Sequence, residues 1–267
     1  MSDTTILLAA GLFLATSMAG AWAVQRATRN CGWVDGIWSA ATALAAAAAC
    51  LLPASAGPRS LLAAAMVLVW GGRLAAHILR RTPGAPEDAR YAAFRLEWGA
   101  AFETRLFWFL MIQAACAWVL VASVWLAARN PAPLGLQDIA GVVLLVVAVA
   151  GETLADTQMQ RFRAARSGGV CDTGLWGLSR HPNYFFEFLG WCAYPLLAID
   201  FSGDYARGWL ALAGPAMMYW LLRYASGVPP LEASMLARRG VAFADYQARV
   251  NVFFPGLPKR RREPRVG

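Results

Sequence analysis

The sequence predicts an all-α, polytopic membrane protein, and three observations lead there. Of the 267 residues, 58% are hydrophobic and only 15% are charged, whereas soluble domains carry about a quarter charged residues. Uncharged runs long enough to cross a bilayer follow one another along the chain. Lys and Arg fall between these runs, with a strong preference for alternate loops. The net charge of +8 does not point to nucleic acid, because the basic residues alternate with apolar runs and do not line one face.

Each helix has its own justification. Thr4 to Gln25 holds no charge over 22 residues and lacks the basic start of a signal peptide, so it reads as a retained, uncleaved helix. Further apolar stretches run over Gly36–Leu52, Ser60–Leu79, Leu106–Ala128, Leu134–Ala155, Tyr184–Ile199 and Gly208–Leu222, which makes about seven transmembrane helices, the last two short. With the N-terminus outside, 20 Lys and Arg lie on the inner side and 3 on the outer (Arg59, Arg129 and Arg207), while Arg73 lies within the third helix. The positive-inside rule then gives N-out and C-in.

No internal repeat and no long Pro/Gly/Ser-rich linker divides the chain, so residues 1–267 read as one integral membrane domain with a basic cytoplasmic tail at 256–267. Lys259-Arg260-Arg261-Arg262 suits anionic headgroups. The polar segments Arg80–Arg105, Asp156–Asn183 and Arg223–Gly267 all fall on the cytoplasmic side of this topology, and chemistry on a charged cofactor is expected there. Two His and five Cys are too few and too dispersed for a metal cluster, so no metal site is expected. Cys31, Cys50, Cys116, Cys171 and Cys192 sit in apolar or basic stretches and read as small hydrophobic residues.

Ionisable residues at membrane depth cost about 2.5 to 3.5 kcal/mol each on insertion scales and tend to face a cavity or a partner. Asp35, Arg73, His77, Glu152, Asp156 and Glu187 together favour a polar cavity in the cytoplasmic half. Glu152, Asp156, Gln160 and Arg163 recur at three- and four-residue spacing, on one face of a helix that continues the fifth span into the cytoplasm. Such a stripe suits a ribose on a carboxylate and a phosphate on the guanidinium, or an intrahelical relay of ion pairs. Gly174-Leu175-Trp176-Gly177-Leu178-Ser179-Arg180-His181-Pro182-Asn183-Tyr184 leads into the sixth helix, with Pro182 in its first turn. Arg180 and His181 at that N-terminus read as an anion site or as a capped helix start, and Asn183 and Glu187 share a face.

Asn30-Cys31-Gly32-Trp33-Val34-Asp35-Gly36-Ile37-Trp38 opens the second helix with a carboxylate between tryptophans, either a functional acid or a plain N-cap. In Asp88-Ala89-Arg90-Tyr91 a phenol beside a guanidinium suits a proton donor or a carbonyl-polarising group, and a surface salt bridge explains the same residues equally well. No GxGxxG after a strand, P-loop, HExxH or GxSxG occurs, so any cofactor is held by helices and loops.

Taken as a series, Asn30…Val34-Asp35…Trp38, Asp88…Arg90-Tyr91, Ala155-Asp156…Gln158…Phe162, Gly174-Leu175-Trp176…Ser179-Arg180-His181-Pro182-Asn183-Tyr184…Glu187…Trp191 and Ser226-Gly227…Pro229…Leu231-Glu232 resemble the bacterial DUF1295 family, related to the C-terminal domain of steroid 5-alpha-reductases. The resemblance runs from about Asn30 to Pro255. It implies a seven-helix reductase of a bacterial inner membrane, open to the cytoplasm. Such an enzyme binds NADPH among its C-terminal helices and saturates a carbon–carbon double bond conjugated to a carbonyl in a lipidic substrate, a sterol, isoprenoid or acyl chain drawn from the bilayer. It implies cofactor contacts at Asp156, Arg163, Asn183 and Glu187, with Arg180, His181 and Tyr184 of the same block, and phosphates against Arg163 and Arg180. No obligatory protein partner is implied.

Two departures stand out. Phe186 replaces the Gly that the family usually has after Asn-Tyr-Phe. The Gln-Glu pair that binds the enone carbonyl in steroid 5-alpha-reductases has no counterpart in the second helix, which leaves Asp35 and Tyr91 as the carbonyl-polarising candidates. The Arg-His-Pro-x-Tyr element also resembles isoprenylcysteine and phospholipid methyltransferases, which bind S-adenosylmethionine there. That alternative predicts methyl transfer in place of reduction.

Overall fold

The computed structural model describes residues 2–165 and 168–259. Arg260, Arg261 and Arg262 of the basic tail lie outside the described residues. Secondary structure among the described residues is helical throughout, without strands. Five stretches are long and apolar enough to span a membrane. They are α1 (Asp3–Thr28), α2 (Gly32–Leu51), α3 (Pro58–Arg81), α5 (Phe102–Ala128) with the preceding α4 (Ala89–Trp98), and α6 (Leu136–Ala164). The chain is an integral membrane protein.

The two C-terminal apolar segments differ from simple spans. Tyr184–Ile199 contains α7 (Pro182–Trp191) and α8 (Ala193–Ala198), interrupted at Cys192. Pro195 accounts for the break, since it has no N–H for the carbonyl four residues back and its ring crowds that carbonyl. Gly208–Leu222 is a succession of a 3-10 turn (Ala206–Leu212), α9 (Ala213–Trp220) and a π-turn (Leu221–Ala225). Pro215 sits in the first turn of α9, where a missing N–H is no loss.

The chain forms two compact units. The first comprises Met1–Leu145 and Trp191–Met218. Its α1 buries Ile6, Ala10, Leu14, Met18, Ala21 and Gln25, a stripe at three- and four-residue spacing, while Leu8, Leu12 and Phe13 face outward. In α2 the alanines at 41, 43, 45, 46, 47 and 49 are buried, and Gly71 of α3 lies so close that a Cβ there would overlap Ala43 and sit 3.1 Å from the Ser39 carbonyl. Small residues at such a contact let two helix backbones approach where lipid offers little hydrophobic drive.

One ion pair anchors this unit. Arg59 in the first turn of α3 donates from Nε to Asp138 Oδ1 at 2.7 Å and from Nη2 to Oδ2 at 2.8 Å, and it also donates to the carbonyls of Asn130, Ala132 and Pro133. All five guanidinium hydrogens are used, so a buried charge is tolerated.

The second unit comprises Val146–Gly190 and Tyr219–Gly267, and includes α10 (Val228–Arg239) and α11 (Val241–Arg249). Phe185, Phe188, Tyr219 and the exposed Phe254 cluster around the buried Phe253 in mostly edge-to-face pairs. Phe243, Tyr246 and Val250 form a smaller cluster with Val170 and Met235.

Candidate functional site

The first unit joins two sequence candidates. Helix α2 starts at Gly32, where the backbone N–H is capped by Asn30 Oδ1 at 2.7 Å. Asp35 therefore stands inside the first turn and is not the cap. Its Oδ2 accepts a hydrogen bond from Arg90 Nη2, and Tyr91 Oη reaches its Oδ1 at 3.5 Å. Arg90 also donates from Nε to Asp88 Oδ1 at 3.0 Å, while Asp88 caps α4 by accepting from the Arg90 N–H at 2.9 Å. Burial pushes the Asp88 carboxyl up, but the charge and hydrogen bonds of Arg90 outweigh it and hold the group below its usual range. Tyr91 is 1% exposed, so its hydroxyl is delivered into a dry environment beside a carboxylate that keeps partial exposure.

A polar frame surrounds this trio. Cys31 N–H donates to Glu87 Oε1 at 2.7 Å, Gln25 Nε2 to Glu103 Oε2 at 2.7 Å, and Asn30 Nδ2 to the Ala85 carbonyl at 3.2 Å. Two of these bonds tie the junction of α1 and α2 to the loop before α4, and the third ties α1 to the start of α5.

The second unit carries the remaining candidates. Helix α6 holds Glu152, Asp156, Gln160 and Arg163 along one continuous helix, as their spacing requires. Glu152 is buried, Asp156 is half-buried, and Gln160 and Arg163 are exposed. Gln158 accepts from the Leu175 N–H at 3.0 Å, and Trp176 Nε1 donates to the Ala155 carbonyl at 2.9 Å. Gly174 adopts a φ of 59° there, in the left-handed region that favours glycine, and its turn closes against Gln158 where no Cβ would fit. Helix α7 begins at Pro182. Asn183 and Tyr184 are half-buried and Glu187 is 6% exposed.

Arg180 and His181 serve the chain itself. The Arg180 guanidinium donates from Nε to Glu232 Oε1 at 2.7 Å, from Nη2 to Oε2 at 3.2 Å, and from Nη1 to the Val250 and Gln247 carbonyls. Its backbone N–H donates to the Asn251 carbonyl, and that of His181 to Ser179 Oγ. His181 Nε2 lies 2.9 Å from Glu232 Oε1 and its ring stacks on Tyr184. Burial pushes Glu232 up, yet the hydrogen bonds from His181, Arg180 and Gln247 outweigh it and bring it down to about 2. The sequence reading missed Glu232 as a hub, although Leu231-Glu232 belongs to the series that carries the resemblance. It placed Arg90 beside Tyr91 but not against Asp35, which lies 55 residues away.

Phe186 has a packing explanation. Its ring lies on Gly151 of α6, where a Cβ would fall 2.5 Å from Cζ and closer still to Cε1 and Cδ1. The bulk that replaces the usual Gly is thus received by a glycine.

Among the described residues no group of three or more His, Cys, Asp or Glu is placed to hold a metal. No curated protein and no solved structure matches the chain. The family described as DUF1295, protein of unknown function, matches residues 21–250, and the chain belongs to that family.

Proposed function

We propose that the protein is a membrane-embedded, NADPH-dependent reductase that saturates a carbon–carbon double bond conjugated to a carbonyl in a lipidic substrate. In this reading the chain crosses a bacterial inner membrane seven times, N-out and C-in, with its site open to the cytoplasm. The observation that supports it most is the meeting of Asp35 with the buried Tyr91 hydroxyl, oriented by Arg90. Reduction of an enone needs a proton donor at the carbonyl oxygen or α-carbon, whereas methyl transfer from S-adenosylmethionine does not. Tyr91 supplies its proton at the carbonyl oxygen, Asp35 aims the phenol, and Arg90 holds Asp35 while anchored on Asp88. The 3.5 Å separation is long for a hydrogen bond, as catalytic contacts often are before a substrate is present.

The chemistry of the second unit fits a dinucleotide. Asp156 offers an incompletely buried carboxylate for ribose hydroxyls, Asn183 an amide and Tyr184 a ring face, and Arg163 an exposed cation for phosphate. Four of the five Arg180 donors are taken, so Arg163 carries the phosphate assignment. When bound, NADPH supplies the hydride that goes to the β-carbon.

The test is thermal stabilisation of the detergent-purified protein by NADPH, NADH and S-adenosylmethionine. A ligand at 100 times its Kd adds about 2.7 kcal/mol of stability. Stabilisation by NADPH that is lost in Asn183→Ala supports the reductase, and stabilisation by S-adenosylmethionine alone replaces it with a methyltransferase.

A further inference from the structure

Glu232 receives four side-chain hydrogen bonds, from Arg180 Nε and Nη2, His181 Nε2 and Gln247 Nε2. A carboxylate that accepts this many bonds has no proton of its own to give. At the His181 contact, Nε2 is therefore the donor, and the protonation of that nitrogen is set by Glu232. The imidazole is 4% exposed and stacks on Tyr184 with ring centroids 5.4 Å apart and planes 9° from parallel. Arg180 and Arg223 are the cations acting on it and Glu232 the anion. Burial, ahead of the opposing pull of Glu232, lowers the His181 pKa from its ordinary 6.5, so the ring is neutral near pH 7. With Nε2 protonated, Nδ1 carries the lone pair.

We propose that Glu232 is a positioning residue that holds His181 as the neutral Nε2–H tautomer, so that Nδ1 is a hydrogen-bond acceptor for a hydroxyl or amide N–H of the bound cofactor and not a contact for its phosphates. This rests on the cofactor reading above and sharpens it. The helix start at Pro182 is then a hydroxyl- or amide-recognising corner, with the charge of Arg180 cancelled internally by Glu232. Asn183 and Tyr184 follow directly in sequence, and the ring stack carries the orientation of His181 to Tyr184.

The chain holds two histidines, which makes the test direct. Protein labelled with 15N at histidine is prepared as wild type and as His77→Gln, which assigns the His181 ring resonances. The expected wild-type spectrum shows a protonated Nε2 and a predominantly unprotonated Nδ1 between about pH 7 and 8. An imidazolium or an Nδ1–H tautomer in that range overturns the proposal. Glu232→Ala is expected to give a mixed tautomer. Retention of the pure Nε2–H form in a folded Glu232→Ala protein overturns the positioning role, and if that variant does not fold, the wild-type spectrum decides. Added NADPH is expected to shift the Nδ1 resonance. Stabilisation by NADPH with no such shift overturns the contact, whereas no stabilisation of wild type by NADPH overturns the cofactor reading and the contact with it. The tautomer is read from the ligand-free protein in every case.

Discussion

Phe186 lies within the motif that carries the family resemblance, and its contact with Gly151 is directly testable. An alanine at 151 places a methyl group within 2.5 Å of three ring atoms. Overpacking of this kind costs about 1 to 3 kcal/mol, and helix backbone and ring have little room to part. Removing the ring by Phe186→Ala also destabilises, toward the low end of the about 3 to 5 kcal/mol seen in water-soluble cores, because lipid tails are as apolar as the protein interior. In the Phe186→Ala background, however, the methyl at 151 has space. Gly151→Ala there is expected to stabilise by about 0.5 to 1 kcal/mol, the usual gain of alanine over glycine inside a helix. The sign of one substitution thus reverses with its neighbour, a coupling of about 2 kcal/mol. Unfolding of the four proteins in detergent, wild type, both singles and the double, measures it. Effects that add to within about 0.5 kcal/mol would show that ring and glycine do not meet.

Other predictions address the site and the fold separately. If the reductase reading holds, Asp35→Asn and Tyr91→Phe each lower the turnover of a lipidic enone by about a hundredfold or more, and a loss below about tenfold in both removes them from the chemistry. Asp138→Ala, which leaves the Arg59 guanidinium buried without its carboxylate, is expected to cost about 3 to 5 kcal/mol in unfolding, and Arg59→Met with Asp138→Leu recovers only part of it, because the Asn130, Ala132 and Pro133 carbonyls lose their donor. Acid should destabilise the second unit in two steps. Below about pH 6.5 the unfolded chain protonates His181 while the folded one resists, and between about 4.5 and 2 the stability contributed by ionised Glu232 is lost as pH falls. A melting temperature flat from pH 7 to 3 in wild type, or a second step that persists in Glu232→Gln, contradicts this. Arg180→Ala should lower the melting temperature of the ligand-free protein, and, if the cofactor reading holds, Arg163→Ala should weaken stabilisation by NADPH.

Composition and charge asymmetry were sufficient for the membrane class, since an uncharged run such as Thr4–Gln25 has few other uses. The continuous α6 through Arg163 was legible for a related reason, because polar residues at three- and four-residue spacing extend the helical period beyond the apolar run. The C-terminal segments were less legible. Their hydropathy is that of a span, but Pro195 breaks the hydrogen-bond ladder between α7 and α8, 208–222 passes through 3-10, α and π geometry, and hydropathy registers neither. The partners of Asp35 were out of reach for another reason. Arg90 lies 55 residues away, and only the folded loop before α4 shows which of several nearby arginines meets the acid. Glu232 was visible as part of a motif, yet its role depends on Arg180 and His181 lying across a separation of about fifty residues, which no local pattern encodes.

The same long-range pairing changes how the basic residues near α7 should be read. A sequence with Arg-His before a helix N-terminus invites an anion there, because helix N–H groups and a guanidinium both attract negative charge. In this fold the two backbone N–H groups at Arg180 and His181 end on Asn251 and Ser179, and the guanidinium ends on a carboxylate and two carbonyls. The electrostatic pull on an incoming phosphate is correspondingly small, since Glu232 offsets the charge at a distance of 2.7 Å. What the motif supplies is stiffness. It joins the loop before α7 to α10, to α11 and to the chain after it, so that Asn183, Tyr184 and Glu187 project from a helix start whose direction is set by seven hydrogen bonds within the chain. A binding surface organised before its ligand arrives loses less conformational freedom on binding, and if the cofactor reading holds, the Arg-His pair contributes to affinity through that route even where it touches no phosphate.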